Sequence, residues 1–507
     1  MPTTNQERFH IPWQNAAEPS TAASLRHRAA SGAAWVAIEM ASSQAASLAI
    51  FMVLARFINP AEFGLISISW LALSSLRSLV VDPVALAVIR NERTNDIEYS
   101  TAFWVTVILA SIACCLIFMG AGLFERIMGI PGLAVVTSAM SPIMLFMGLT
   151  RTHEMRLARL FQFRALAIRT MAGTLLGGAI GISLAVKGYG VTSLIAQQIA
   201  TSGISLTVLW VVSSWKPSLC FSTQTTLGIF RFMRRLTPAT IVSLTNQTCD
   251  TFLVAYFFGP TTTGIYSMSK RLRLSQQMVV GGPISALTLP ALAEVQTDKT
   301  SLHRTSIRAL KVISCICAPI FFGSSSVANE IVPVLFGQKW MHVAPVFSVL
   351  SIGGFFAIIQ SFCDSVLTLK DRQYWSFYPL VTYTTLAVLA FLLLRGAGIN
   401  YVAIPFLLPY IIVFPLSLFL ASRAIGISPF PLLTAILPSL VSAALMFFVL
   451  RFIVAMLPFD GNFLRLTALI GLGAVLYVAI MSLIDLESLL FVGSVLKRLG
   501  SRTLLRR

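Results

Sequence analysis

Long apolar stretches recur along the whole chain and constrain its fold more than any other feature. A helix that spans a bilayer needs about 20 mostly apolar residues. Fourteen segments qualify, near 33–56, 63–86, 101–123, 133–152, 166–187, 190–213, 236–258, 262–289, 308–328, 342–367, 376–395, 398–422, 430–457 and 464–486. Only 11% of the 507 residues are charged, against about 25% in soluble domains. The sequence therefore predicts an all-α polytopic membrane protein with about 14 transmembrane helices.

Lysine and arginine predict the orientation of these helices, because cytoplasmic loops are enriched in both residues. When the N-terminus is placed in the cytoplasm and the helices alternate, 26 of the 37 basic residues fall in cytoplasmic segments and seven in external ones. Both termini are therefore expected in the cytoplasm. The excess of basic residues behind the formal net charge of +18 is explained by this orientation. No nucleic acid partner is therefore expected.

An internal repeat divides the predicted spans into two halves. Residues 55–83 align without gaps with residues 255–283, and nine of these 29 positions are identical. The identities include Pro60 with Pro260 and Gly64 with Gly264. Six spans separate the two copies, and an even number gives both copies the same orientation. The repeat is therefore predicted to be parallel, about an axis along the membrane normal.

The repeat and the loops predict the organisation of the chain. The predicted units are a disordered cytoplasmic tail (1–30), an N-terminal six-helix lobe (31–214), a cytoplasmic inter-lobe linker (215–235), a C-terminal six-helix lobe (236–422), two additional helices (430–486) and a basic cytoplasmic tail (487–507). The basic run in the linker fits either an interfacial amphipathic helix or the first turns of the seventh span.

Ionisable residues inside spans are costly in lipid and usually face a cavity or a partner. The candidate substrate-binding residues are Lys270, Arg271, Arg273 and Arg77, and the candidate ion-coupling or charge-pairing residues are Asp250, Glu39 and Asp82. Each repeat places an acid on its first helix and a base on its second, at similar depth. Lys270, Arg273 and Gln277 share one helix face.

Cations on one face within a membrane suit an anion such as a pyrophosphate, for which arginine is the usual bidentate ligand. Three alternatives stay open at this point. Arg77 and Asp82 could reach the inner membrane surface, as long side chains do near helix ends. Glu39 could pair for structural reasons alone, and the group from Lys270 to Arg273 could extend toward the outer surface.

No motif of a hydrolase, metalloprotease or P-loop ATPase occurs in the sequence. The seven cysteines form no CxxC pair and the five histidines are scattered. The protein is therefore not expected to be an enzyme, and no cofactor or metal site is predicted.

The block from Asp250 to Asp298 carries a family resemblance, through the Gly-Pro turn, GIYSMSKRL and LPALAEVQTD. With ARFINPAEFGLISI and IVPVLFGQKW, it resembles the polysaccharide transporter (Wzx-type) branch of the multidrug/oligosaccharidyl-lipid/polysaccharide flippase superfamily. The resemblance implies two six-helix lobes around a central cavity lined by charged residues. It also implies movement of undecaprenyl-pyrophosphate-linked oligosaccharide across the bacterial inner membrane, in contact with membrane lipids and with polysaccharide polymerase and other export components.

Two other functions are compatible with the sequence. One is a multidrug or other ion-coupled small-molecule exporter of the same superfamily, whose pocket for cations would be acidic or aromatic. The other is a non-transporting component of a membrane polysaccharide synthase, which would tolerate neutral replacements of Lys270 and Arg273.

Overall fold

Helices make up the protein, as the sequence predicts. The computed structural model describes residues 42–89, 95–160, 162–281, 292–398, 401–456 and 463–494, and no strand occurs among them. The all-α class is therefore confirmed. Glu39, the tail 1–30, Pro283 and the basic residues after 494 lie outside the described residues.

The described residues of the first half form eight helices. They are α1 (Ser42–Phe57), α2 (Pro60–Val80), α3 (Asp82–Ile89), α4 (Asp96–Met128), α5 (Leu133–Met140), α6 (Pro142–Arg159), α7 (Phe163–Val186) and α8 (Val191–Val212). Short breaks divide two predicted spans, one between α2 and α3 and the other between α5 and α6.

The second half begins with the longest helix of the structure. Its elements are α9 (Thr223–Gln276) with a π-helical turn (Gln277–Gly281), α10 (Lys299–Ser326), α11 (Ala328–Phe336), α12 (Val343–Leu369), α13 (Phe377–Leu394), α14 (Ile404–Leu407), α15 (Tyr410–Ile425), α16 (Phe430–Met456), α17 (Phe463–Ile484) and α18 (486–494).

Eleven helices within the described residues are long and apolar enough to cross a membrane. The protein is a multi-pass membrane protein. The shorter apolar helix Ser42–Phe57 and the two arms of α9 occupy the positions of three further predicted spans. The count of fourteen therefore stays a prediction, although a described helix overlaps each predicted segment.

α9 joins the predicted linker to two predicted spans. Its backbone bends sharply at Gly259, which has φ 74° and ψ −171°, a conformation open to glycine because it has no Cβ. Pro260 then begins the second arm, where its missing N–H would be unpaired in any case. Arg231, Arg234 and Arg235 lie within the first arm, so the basic run is helical and continuous with the predicted seventh span.

The two copies of the repeat meet at one point of backbone contact. A Cβ added to Gly64 on α2 would lie 1.8 Å from the carbonyl oxygen of Pro260. Reciprocally, a Cβ on Gly264 would lie 1.9 Å from the carbonyl oxygen of Pro60. Small residues allow membrane helices to approach this closely. We call this contact the glycine seam.

Trp340 packs beside the glycine seam and is fully buried. Its indole Nε1–H donates to the carbonyl oxygen of Ala55 at 2.7 Å, and its ring centroid lies 6.0 Å from that of Phe63. Ala55 and Phe63 belong to the first half, whereas Trp340 ends the segment IVPVLFGQKW of the second half. This segment therefore joins the two halves at the Pro60 and Pro260 ends of their helices.

Candidate functional site

Lys270 and Asp250 form an ion pair between the two arms of α9. The Lys270 Nζ to Asp250 Oδ1 distance is 2.7 Å, and the two side chains are 18% and 16% exposed. Lys270 also donates to the carbonyl oxygen of Gln247 at 2.8 Å and contacts Thr251 Oγ1 at 3.3 Å. Tyr266 donates to Asp250 Oδ2 at 2.9 Å. The charge on Lys270 is therefore compensated within the protein.

Arg273 lies one helical turn from Lys270 and contributes to the same cavity. Its Nε atom is buried, and it has no hydrogen-bond partner among the described residues. Gly354 on α12 leaves room for its aliphatic stem, since an added Cβ there would lie 3.2 Å from Arg273 Cγ. The stem of Arg273 is therefore fixed by packing, while its Nε–H is left without an acceptor among the described residues.

A cavity of about 690 Å³ surrounds these side chains within the second half. Its polar and aromatic lining comprises Asn246, Gln247, Asp250, Lys270, Arg273, Gln277, Gln360, Ser361, Asp364, Tyr383 and Tyr410. The Tyr383 and Tyr410 rings lie 5.1 Å apart, and the Tyr383 hydroxyl donates to the carbonyl oxygen of Phe406. The cavity is thus lined by an arginine, a lysine, two carboxylates, several amides and two tyrosines.

Asp364 on α12 adds an acid that the sequence candidates did not include. It lines the cavity with Gln360 and Ser361, so the two acids Asp250 and Asp364 stand beside the two cations Lys270 and Arg273. The formal charge of the lining is therefore balanced. Because Lys270 pairs with Asp250, the charged groups left for a ligand are Arg273 and Asp364.

Arg271 points away from this cavity. Its Nη2 donates to Ser47 Oγ at 2.6 Å, and its guanidinium carbon lies 4.4 Å from the ring centroid of Phe51. Both partners are on α1, so Arg271 connects the two halves. The angle of about 100° between successive helix positions places Arg271 and Lys270 on different faces.

The charged residues of the second span belong to an ion network in the first half. Asp82 lies 3.4 Å from Arg77 Nε and 3.0 Å from Arg151 Nε. Glu154 accepts from Arg151 at 3.1 Å and pairs with Arg169. This network joins α2, α3, α6 and α7, and it satisfies Arg77 without a ligand.

Asp82 also lines a smaller cavity of about 340 Å³ between α3 and the first arm of α9. Gln247 lines both this cavity and the larger one. The two cavities therefore lie on either side of Gln247 in the first arm of α9.

Comparison with known proteins agrees with this architecture. The profile of the family described as "Polysaccharide biosynthesis protein" matches residues 53–345. The chain belongs to this family. The resemblance seen in the sequence motifs is thereby confirmed.

Two relatives of the polysaccharide biosynthesis family illustrate its range. The lipopolysaccharide biosynthesis protein WzxC of Escherichia coli K12 is 25% identical over 406 residues, which cover 79% of this chain and 82% of WzxC. The succinoglycan biosynthesis transport protein ExoT of Rhizobium meliloti is 24% identical, and the match covers 59% of this chain and 61% of ExoT.

Solved structures show the same fold. The lipid II flippase MurJ in an inward closed conformation superposes with a TM-score of 0.72 at 14% identity, over 88% of this chain and 97% of MurJ. A multidrug resistance MATE family transporter in an inward-facing conformation gives a TM-score of 0.58 at 14% identity, over 76% and 98% of the two chains. At this identity, the likeness shows the fold alone.

Sequence reasoning missed several residues of this family member's cavity. Asp364 lies close to the end of a predicted span, where acidic residues are common. The available signal was that Gln360, Ser361 and Asp364 interrupt an otherwise apolar helix. Nothing in the sequence marks Tyr383 and Tyr410 as cavity residues, because aromatic residues are common in apolar spans. Only the folded arrangement brings them to Arg273.

Proposed function

We propose that the protein translocates a lipid-linked oligosaccharide across the bacterial inner membrane by alternating access. The observation that carries this proposal is Arg273, a half-buried arginine in the cavity whose buried Nε has no hydrogen-bond partner among the described residues. A planar guanidinium suits a phosphate or pyrophosphate group. The names of the relatives WzxC and ExoT, which refer to polysaccharide biosynthesis, support an oligosaccharide cargo.

The rest of the cavity suits a saccharide. Carboxylate and amide groups such as Asp364, Asn246 and Gln360 can hydrogen-bond sugar hydroxyls. The Tyr383 ring, which is held by the buried Tyr410 ring, can pack against a sugar ring, since aromatic faces combine a large apolar area with a polar edge. The phosphate end of the substrate would then contact Arg273, and the saccharide end would contact the amide and tyrosine side chains.

The positions of the seam and the cavity support alternating access. In the predicted orientation, Gly259 marks the external end of the seventh span. Asp250 lies nine residues earlier, about 13 Å deeper at the helical rise, and the glycine seam closes the external side. We infer that the substrate enters from the cytoplasmic side and leaves when the seam separates.

Asp364 favours a second candidate, an exporter of small cationic molecules, because a carboxylate in a membrane cavity attracts cations. The two functions differ in their dependence on Arg273. An anion carrier needs this cation, whereas a cation exporter gains affinity when it is removed.

Complementation of a deletion strain tests the proposal. Arg273→Ala is expected to reduce surface polysaccharide at least tenfold and to leave lipid-linked oligosaccharide in the cytoplasmic leaflet, while Arg273→Lys retains part of the export. Arg395→Ala is the matched control, because this arginine packs on Phe257 outside the cavity. Full export by Arg273→Ala at equal membrane abundance would refute the assignment.

We also infer that both termini lie in the cytoplasm and that a polysaccharide polymerase receives the substrate on the external side. Cysteine labelling of intact cells tests the first point. Reagents that do not cross the membrane should modify a cysteine placed at Arg395 and spare one placed at Arg372.

A further inference from the structure

Another cavity, of about 520 Å³, lies between the first turns of α10 and helix α18, and its lining shares no residue with the larger cavity. It is lined by Thr300, His303, Arg304, Ile307, Arg308, Lys311, Glu487, Ser488 and Phe491. Four of these nine residues are basic or histidine, and one is acidic. We call it the α10–α18 cavity.

The walls of this cavity are held together by specific contacts. Asp485 caps α18 by accepting from the Ser488 backbone N–H at 3.0 Å, and Lys311 Nζ lies 3.5 Å from its carboxylate. Lys311 also donates to Ser488 Oγ at 3.0 Å. Because Lys311 is on α10, these contacts fix α18 against the second half. The charge of Lys311 is therefore paired within the protein, with the carboxylate of Asp485.

Arg304 and Arg308 supply the cationic character of the cavity. They lie four residues apart on one face of α10, and neither forms an ion pair with a carboxylate of the described residues. The guanidinium carbon of Arg308 lies 5.6 Å from the Phe491 ring centroid, which limits its freedom. Two arginines thus line a cavity whose lining includes one acidic residue, Glu487.

The surroundings of the cavity are apolar. Leu483, at the end of α17, is 88% exposed, and Leu486 and Leu490 on α18 are 51% and 64% exposed. Such leucines next to a membrane span are covered by lipid acyl chains. In the predicted orientation, α10 begins and α17 ends on the cytoplasmic side, so the cavity lies at the level of the cytoplasmic headgroups.

We propose that the α10–α18 cavity binds the phosphate headgroup of an acidic phospholipid. Basic pockets between membrane helices on the cytoplasmic side are suited to such headgroups. Arg304 and Arg308 contact the phosphate, and the acyl chains cover Leu486 and Leu490. Free phosphate could satisfy the arginines but would leave the leucines exposed, which favours the lipid.

This site gives the two additional helices a role beyond the two lobes. α16 and α17 lead directly into α18, so a lipid that bridges α10 and α18 anchors the additional helices to the second half. The site lies outside the substrate cavity, and it stands or falls independently of the proposed transport function.

Lipid binding to the purified full-length protein in neutral detergent tests the proposal. The probes are phosphatidylglycerol, phosphatidylcholine and inorganic phosphate, and retained lipid is measured by native mass spectrometry. The wild type should retain phosphatidylglycerol preferentially. The double variant R304Q/R308Q should weaken this binding about tenfold or more, since each basic residue near a membrane surface contributes appreciably to anionic lipid affinity.

The double variant R372Q/R423Q is the matched control. Both arginines lie near the ring of Trp375, at 4.5 and 5.9 Å, on the same predicted side of the membrane, and neither lines the α10–α18 cavity. It should change phosphatidylglycerol binding less than twofold. An equal loss in this control would mean that general surface charge is responsible and would overturn the site.

Three other outcomes would also overturn the proposal. They are equal binding of phosphatidylglycerol to the wild type and R304Q/R308Q, equal binding of phosphatidylcholine, and phosphate that displaces the lipid at micromolar concentration. If the double variant is unstable in detergent, the single variants R304Q and R308Q replace it, each with an expected loss of about fivefold.

Discussion

Gly64 and Gly264 occupy equivalent positions in the two copies of the repeat, and each lies against the carbonyl oxygen of the proline that begins the other's helix. The two contacts are equal to within 0.1 Å, at 1.8 and 1.9 Å from an added Cβ. The pseudo-twofold axis inferred from the sequence repeat therefore passes through this point. A single methyl group here must separate the two halves.

Substitution of this pair tests the seam directly. Gly64→Ala and Gly264→Ala should each lower stability by about 1–3 kcal/mol or more, as overpacking does, and should shift the protein toward conformations with separated halves. Thermal unfolding in detergent and the accessibility of Trp340 to a quencher measure the two effects. Gly122→Ala is the control, because no atom lies within 4 Å of an added Cβ there. Unchanged stability of Gly64→Ala would contradict the close contact.

The ion pair of Asp250 and Lys270 predicts strong coupling between these residues. Lys270→Met or Asp250→Asn alone removes one partner of a buried pair and should cost about 3 kcal/mol. The double variant should cost less than the sum, with a coupling energy of about 1–3 kcal/mol. A double-mutant cycle of unfolding free energies measures this value, and simple additivity would contradict the pairing.

Trp340 predicts a graded loss of stability. Trp340→Phe keeps an aromatic ring but removes the donor to the Ala55 carbonyl and part of the ring volume, which should cost about 1–3 kcal/mol. Trp340→Ala also leaves a cavity and should cost about 3–5 kcal/mol. Trp375→Phe is the control and should change stability by less than about 0.5 kcal/mol. Equal effects of Trp340→Phe and Trp375→Phe would contradict the buried hydrogen bond.

Glu154 is predicted to stabilise the first half without touching the substrate. Glu154→Gln leaves Arg151 and Arg169 short of a counter-charge, and it should lower the unfolding temperature through a loss of about 3 kcal/mol. Export normalised to the amount of folded protein should stay within about twofold of wild type. A selective loss of export at unchanged stability would instead place the network in the transport pathway.

The sequence predicted those features that depend on one-dimensional patterns. Apolar length located the helices but not all of their ends, since α9 and α10 begin well before the predicted spans, and the aligned prolines and glycines located the repeat. The shared depth of Asp250 and Lys270 followed from helical rise, and the structure brings these two residues into contact. Six of the seven charged candidates lie within the described residues, but only three of them, Asp250, Lys270 and Arg273, line the larger cavity.

Features that depend on packing between distant segments could not be predicted from the sequence. Periodicity shows that Arg271 and Arg273 occupy different faces, but it does not show which face meets α1 and which meets the cavity. The pairing of Asp82 with Arg151 joins residues 69 positions apart, and no local pattern encodes it. Asp364 was missed because a helix end and a cavity wall look alike in sequence.

Arg77 and Gln277 are equivalent positions in the two copies of the repeat, yet one lies in an ion network and the other lines the larger cavity. Under the proposed function, the first half serves as a frame stabilised by its own ion network, and the second half serves as the receptor for the cargo. Evolution toward a new sugar cargo can then proceed by changes in the receptor half, while the frame half is inherited unaltered. Exchange of second halves between relatives offers a direct route to redirected specificity.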